Sequence, residues 1–579
     1  MTLRRGLALA FAIVTLAELG VLGLLAAGIE RRLQMGPFLI IIHSVGKPLW
    51  IGIAAALGLR VLAGRSVLLR WLSGLLMASL VVLTLVVLAR TTPSVVTKSD
   101  IAVTELYVQL ATKGALLSGP YSRFEWHHPG PLYFYMQVPF YALSGRTGAG
   151  LYVGAVAINL LSLAVLAWVL LRVDRGRLAV AILAGWLLFA WRDRFIAASP
   201  WTAHVPVLAT FTFVVLAAAV ASGRRWMLPA LVVVGSFMAQ CHVGLVPLVL
   251  ALSTAALAAV AVTRRDDEPM APLLNTCAWL LAALWLLPVV EQLSQPRGNL
   301  AHLWTFFTSG GSTPSYWTAL AAWSYALVGP LRPDLYLPYG GHFEFTHLGW
   351  AIPVAIAELM ALAVTGTLAQ RAGRRFEATM AWTAILASVV SFWSITRIRG
   401  DILDHEIFWI VPLGVLNLSS VAAAVLRGIG TRWPSTRLTG ARAATAICVV
   451  LVLAGVHDAL GDLDRLVAFE NAMRRKDADI NATYDCIVEY LGAHEVRKPL
   501  FKIEQWDMAA AVLARLNRSD RPFAVEDKSL PIFTAVFSAH GDEDAIIAIA
   551  GRASSADAPG AAVVLQREPV YVEALRIQR

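Results

Sequence analysis

Between Ser99 and Met136 the chain reads SDIAVTELYVQLATKGALLSGPYSRFEWHHPGPLYFYM, a polar, proline-broken and aromatic stretch flanked by apolar sequence. Its residue types can do chemistry. A carboxylate at Asp100 or Glu105 can take a proton from an acceptor hydroxyl or amine. Arg123, His127 and His128 suit an anionic phosphate, and the aromatic side chains suit a sugar or an isoprenoid chain. Each also has a plainer reading: Ser99-Asp100 is a good helix N-cap pair, and aromatic residues such as Tyr133 with nearby cations are common where a protein meets the membrane interface. That belt does not account for adjacent histidines between an acid and a Pro-Gly-Pro turn.

The local elements follow from spacing. Val103, Leu106, Tyr107, Leu110, Gly114 and Leu117 predict an amphipathic helix lying on the membrane surface, stopped by Gly119-Pro120. Asp100 and Glu105 stand about 140° apart on that helix, so they should not share a face. Pro129 and Pro131 exclude a regular helix and predict a rigid turn that fixes Arg123, His127 and His128.

The rest of the chain must hold this stretch at a membrane. Over 579 residues it is 58% hydrophobic and 15% charged, with a mean hydropathy of +0.65. Apolar blocks of about 20 residues match the length that crosses a hydrocarbon core. The expected spans are 8–28, 37–58, 70–89, 148–171, 178–191, 205–222, 226–241, 243–262, 272–290, 348–369, 378–396, 407–426 and 441–457. This is an all-α polytopic membrane protein with about 13 transmembrane helices. The start, MTLRRGLALAFAIVTL, reads as a retained first span rather than a cleaved signal peptide. The net charge of +10 comes largely from arginines in short loops, the positive-inside pattern of a membrane protein rather than a nucleic-acid surface. Arg31 and Arg32 depart from that pattern. The four cysteines form no disulfide framework or CxxC metal site.

With Arg4 and Arg5 inside, residues 91–147, 192–204, 291–347, 397–406 and the polar tail 458–579 face outward, provided that the twelve-residue apolar piece 132–143 does not cross. Residues 1–457 therefore read as a transmembrane domain and 458–579 as a small extracytoplasmic α/β domain. In the tail, PLFKIE and AAVVLQ read as strands and WDMAAAVLARLNRSD as an amphipathic helix. The outer segments add Arg192, Arg194, Arg397, Arg399 and His405 as candidate ligands for a phosphate. The long segment 291–347, with Pro330, Pro333, Pro338 and His342, reads either as a cover over an acceptor sugar or as a connector. Glu18 and Lys47, each about ten residues into a span, are expected to form an ion pair; a proton path through them is the transporter alternative.

An acidic motif after a transmembrane helix, followed by HHPGPLYFY, resembles the first outer loop of GT-C superfamily glycosyltransferases. It is similar to the lipid A aminoarabinose transferases, protein O-mannosyltransferases and arabinofuranosyltransferases. RDRFIAASPWTAHVPVLATFTF at 192–213 and VVVGSFMAQCHVGLVPLVL at 232–250 extend the resemblance over roughly 70–260. The acids here read DIAVTE rather than adjacent Asp-Glu, so Asp100 and Glu105 both stay candidates. The resemblance implies a membrane enzyme of the bacterial cytoplasmic (inner) membrane that moves a hexosyl or pentosyl group from a polyprenyl-phosphate-linked donor to a glycan, lipid or protein acceptor. It names no certain cofactor and leaves room for a divalent cation whose ligands are unknown. A lipid-linked polysaccharide ligase or polymerase, and a transporter or flippase, are the alternatives.

Overall fold

The computed structural model describes residues 2–29, 31–35, 38–42, 45–64, 66–174, 176–263, 270–332, 349–432, 440–550, 562–567 and 570–576. The chain divides into two compact units, one of residues 1–95 with 139–157, the other of 96–138 with 158–579.

In the first unit α1 (Thr2–Ala26), α2 (Gly46–Ala63) and α3 (Val67–Thr91) pack against one another, and β1 (Arg31–Met35) and β2 (Phe38–Ile42) form an antiparallel hairpin. That hairpin corrects the expected second span. Residues 38–42 are spent in β2, so α2 starts at Gly46 and Lys47 sits exposed in its first turn rather than deep in a span. Glu18 faces Gly52 instead, and among the described residues no ion pair joins it to Lys47. At one end of the unit Arg4 donates to the Leu62 carbonyl at 3.0 and 2.8 Å and Arg60 to that of Arg70 at 2.8 Å. Arg4 thus caps the C-terminal end of α2, and Arg60 ties α2 to the first turn of α3.

The rest of the chain is α4 (Ser99–Thr112), α5 (Leu132–Leu143), α6 (Ala149–Val173), α7 (Arg177–Arg192), α8 (Val205–Ala221), α9 (Leu228–Cys241), α10 (Val246–Thr263), α11 (Ala271–Leu284), α12 (Leu286–Ser294), α13 (Asn299–Thr308), α14 (Tyr316–Leu327), α15 (Ala351–Arg371), α16 (Arg375–Ile395), α17 (Val411–Arg432), α18 (Gly440–Ala472) and α19 (Arg474–Ala493), followed by β3 (Pro499–Ile503), α20 (Trp506–Arg518), β4 (Ala524–Val525), β5 (Ala545–Ala550), β6 (Ala562–Arg567) and β7 (Val570–Arg576). Apart from the first residues of the second, taken by β2, the expected spans fall on helices, with 272–290 shared between α11 and α12. Among the described residues nine helices are long and apolar enough to cross a membrane, and α11 with α12, bent by 48° between them, makes either a broken span or a re-entrant pair. Pro288 in the first turn of α12 lacks the N–H that would continue the helix. α8 and α9 are shorter apolar helices, and α7 has only 16 residues with arginine at both ends. α5 is the twelve-residue helix expected over 132–143.

α8 is apolar all round and buried from Val205 to Val220, so it forms the centre of the second unit, with α9, α10, α16 and α17 against it. The C-terminal strands make one sheet in the order β4-β3-β5-β7-β6. β3 is parallel to β4 and β5, and α20 crosses between β3 and β4. PLFKIE, AAVVLQ and the helix at 506 are all found as expected.

α4 is not a surface helix. Residues 102–111 are all buried, because α20 covers the face that carries Glu105 and Gln109. Asn517 donates to Gln109 Oε1 at 2.6 Å, and Gln109 donates to the Ala514 carbonyl at 3.0 Å. The polar positions that suggested a wet face are satisfied by the C-terminal helix instead.

Candidate active site

The turn between α4 and α5 is built as a closed loop. Tyr121 and His127 form an isolated antiparallel bridge, His128 N–H donates to the Pro120 carbonyl at 2.7 Å, and Ser122 N–H donates to that of Trp126 at 3.0 Å. Two glycines permit this. A Cβ at Gly119 would collide with the His128 carbonyl, and one at Gly130 with the Gln240 side chain of α9. Gln240 Oε1 accepts from Leu132 N–H at 3.3 Å, and Asn299 of α13 both accepts from and donates to the His127 backbone at 2.8 Å. The Pro-Gly-Pro turn is therefore pinned from two sides, which makes it rigid.

A cavity of about 820 Å³ lies over this loop, and Asp100, Arg123, His128, Arg397, Arg399 and His405 all line it. Four separate polar segments of the sequence, 91–147, 192–204, 291–347 and 397–406, converge there. The C-terminal region also contributes, through Trp506 at the start of α20 and Lys528, Pro531 and Ile532.

Asp100 does not cap α4. Lys98 occupies the cap position, and Ser99 takes a positive φ of 49° just before it. The Asp100 carboxylate instead accepts a hydrogen bond from the Tyr121 hydroxyl. Burial pushes its pKa up, while hydrogen bonds from Tyr121 and Trp201 pull it back toward the ionised form. Burial and the Asp100 charge hold the Tyr121 phenol protonated.

His128 stacks on His242, with ring centroids 4.8 Å apart. Its Nδ1 accepts from Val243 N–H at 3.0 Å, and His242 Nδ1 accepts from Gly244 N–H at 3.1 Å. An accepting Nδ1 leaves the proton on Nε2, so both rings are neutral Nε2–H donors. Burial, with neighbouring histidines, holds His128 well below the usual histidine range and lowers His242 to about 3. His405 is lowered to about 4 by burial and by the Arg123 charge.

The three arginines differ in what occupies them. Arg123 makes an ion pair with Glu406 at 3.0 Å and donates to the Asp401 carbonyl at 2.6 Å. Arg399 donates to the carbonyls of Ser309 and, at 3.2 Å, Gly310, with its guanidinium over Phe306. The Arg397 guanidinium rests over Trp393 at 5.1 Å and makes no hydrogen bond or ion pair among the described residues.

The other sequence candidates lie elsewhere. Glu105 is fully buried, where Arg518 of α20 forms an ion pair with it and Thr97 donates to it. Tyr133 is buried, donating to the Pro200 carbonyl and accepting from Gln137, each at 2.8 Å. His127 lines an adjoining cavity of about 760 Å³ with Glu291, Arg297 and His302. Its Nε2 is buried without a partner, and burial, with His302, lowers it to about 4. Arg192 donates to the Pro330 carbonyl at 2.9 Å and borders a third cavity. Arg194 is exposed near Asp458 and Asp462 of α18. Pro333, Pro338 and His342 lie outside the described residues, while 291–332 is largely helical, as α12 to α14. Among the described residues no group of three or more His, Cys, Asp and Glu side chains is arranged to hold a metal ion.

Tyr121, Trp201, His242 and Glu406 escaped the sequence reading. His242 stood at the edge of an apolar run, where a histidine reads as membrane boundary, and only its place beside His128 reveals it.

No protein-family model matches the chain, and no curated protein matches it in sequence. Among solved structures it is similar to ArnT from Cupriavidus metallidurans bound to undecaprenyl phosphate, at 15% identity and a TM-score of 0.50, over 85% of this chain and 96% of that one. The apo structure of the same protein gives 14% identity and a TM-score of 0.48, over 87% and 98%. The chain has an ArnT-like fold, the architecture that the resemblance to GT-C glycosyltransferases led us to expect.

Proposed function

We propose that the chain is a glycosyltransferase that moves a sugar from a polyprenyl-phosphate-linked donor to a cell-envelope acceptor at the outer face of a bacterial cytoplasmic membrane. The observation that carries this reading is the meeting of Asp100, His128, Arg397 and Arg399 on one cavity, in a fold shared with a protein solved with undecaprenyl phosphate. Arg397 has a guanidinium free to hold the donor phosphate, and the Nε2–H groups of His128 and His242 add neutral donors. Each charge-assisted contact contributes about 1.5–3 kcal/mol. Arg123 and Arg399 hold the loops that carry these groups. Asp100 accepts the acceptor's proton as its oxygen or nitrogen attacks the anomeric carbon. The bond from that carbon to the phosphate oxygen breaks, and the electron pair leaves with the lipid phosphate. The arginine bias of the short loops supports an outward site, and the residues that 506–532 lends to the cavity support a C-terminal domain on the same face.

The reading is tested by titrating the purified protein in nanodiscs with undecaprenyl phosphate while following tryptophan fluorescence, since Trp126, Trp201, Trp393, Trp409 and Trp506 line the cavity. Saturable quenching that Arg397→Gln weakens is expected. An equal response to undecaprenol, which lacks the phosphate, would overturn it.

A further inference from the structure

A second large cavity in this unit, about 1010 Å³, lies away from Asp100, among α7, α17 and α18. Its walls are one face of each helix. α7 presents Val180, Ala181, Ala184 and Leu188, and α17 presents Val415, Leu418, Ala422 and Leu426, both at helical spacing. Many of these side chains are small, which leaves the space open.

The mouth is polar, and its charges are unequally used. Asp174 accepts from Gly176 N–H at 3.1 Å and Ala179 N–H at 2.9 Å, capping the start of α7. Glu377 is held by Arg374 at 2.8 Å and by Arg427. Arg427 Nε is buried without a partner, and the Arg177 side chain has no hydrogen bond or ion pair among the described residues. Among the described residues Arg177, Arg427 and Arg374, the last through Glu377, exceed the carboxylates of Asp174 and Glu377 by one charge, which an anion would balance.

Depth identifies the occupant. From Arg177 to Leu188 α7 rises about 17 Å, close to half of the roughly 30 Å hydrocarbon thickness of a bilayer. A chain anchored by its headgroup at Arg177 therefore occupies one leaflet. At the far end Arg192 is tied to the Pro330 carbonyl. We infer that this cavity is a binding site for an anionic glycerophospholipid, its phosphate on Arg177 and Arg427 and an acyl chain along α7 and α17. Such a lipid joins α7 to the α17–α18 pair and is separate from any donor at Asp100.

The full-length protein, stripped of lipid in an uncharged detergent, is titrated with phosphatidylglycerol or phosphatidylcholine, reading thermal unfolding and lipids retained by native mass spectrometry. Phosphatidylglycerol should be retained at one copy and raise Tm by about 2–4 °C in a concentration-dependent way, and phosphatidylcholine by much less. Arg177→Gln should leave the lipid-free Tm unchanged while abolishing the preference, and Ala184→Phe should block retention by filling the cavity. Equal shifts from the two lipids, or a preference that survives Arg177→Gln, overturn the inference. If Ala184→Phe fails to fold, the Arg177 result alone decides.

Discussion

The Tyr121 hydroxyl donates to the Asp100 carboxylate, so the residue proposed as base is oriented by the loop that carries Arg123 and His128. This bond favours the ionised form against burial, which pushes the Asp100 pKa up. A base works only when ionised, so turnover must fall as pH drops through that pKa. Tyr121→Phe should move the acidic limb of kcat/KM to higher pH. Asp100→Asn should leave a folded protein slowed by about 10²–10⁴. A limb that stays in place in Tyr121→Phe, or near-normal turnover in Asp100→Asn, removes Asp100 from the role.

Glu105 lies five residues further along the same helix with the opposite fate. Its carboxylate is sealed against Arg518, where removing one partner of a buried pair costs about 3–5 kcal/mol. Glu105→Gln should unfold at clearly lower denaturant or temperature while kcat per folded molecule stays within a few-fold. A stable but inactive Glu105→Gln would return this residue to the chemistry.

The contrast between these two acids marks how far sequence reasoning reached. Hydrophobic blocks placed the long apolar helices, and short strands at 499 and 562 revealed the C-terminal sheet, because burial writes periodicity into a sequence. α4 misled because its polar side was covered by α20, some 400 residues away in sequence, and no local pattern records such a partner. His242 and Trp201 were hidden for the same reason, since their neighbours in the cavity come from distant segments. Lys47 was misplaced because the β1–β2 hairpin consumed apolar residues that match a span in composition.

Arg397 and Arg399 share a loop but should respond differently to mutation. Arg399 ties that loop to the Ser309 and Gly310 carbonyls, whereas Arg397 has no such partner. Arg397→Gln should raise the donor KM about 10–150-fold with little loss of Tm, matching one charge-assisted contact. Arg399→Gln should lower Tm as well. If Arg397→Gln left donor KM unchanged, the phosphate would have to be held elsewhere.

Orientation can be read chemically. In a Cys486→Ser background, single cysteines at Ser118 and Ser538 should react with an impermeant maleimide added to intact cells. A cysteine at Ser222, between α8 and α9, should react only after permeabilisation. The reverse pattern would put the cavity on the cytoplasmic side and exclude a donor presented from outside.

The stacked His128 and His242 rings make the sharpest pH prediction. Both accept a backbone N–H at Nδ1, and burial keeps them neutral far below pH 6. Neither ring should therefore add a limb to the pH–rate profile between pH 5 and 8. In His128→Gln the side-chain amide can accept from Val243 N–H and still donate into the cavity, so most activity should remain. His128→Leu leaves that N–H unpaired and removes the donor, and should cost about 10–150-fold. The acidic limb in His128→Gln should coincide with that of the unmodified protein, because it belongs to Asp100. Loss of that limb would falsify the neutral-donor role, make His128 the titrating group, and transfer the proton from the carboxylate to the imidazole.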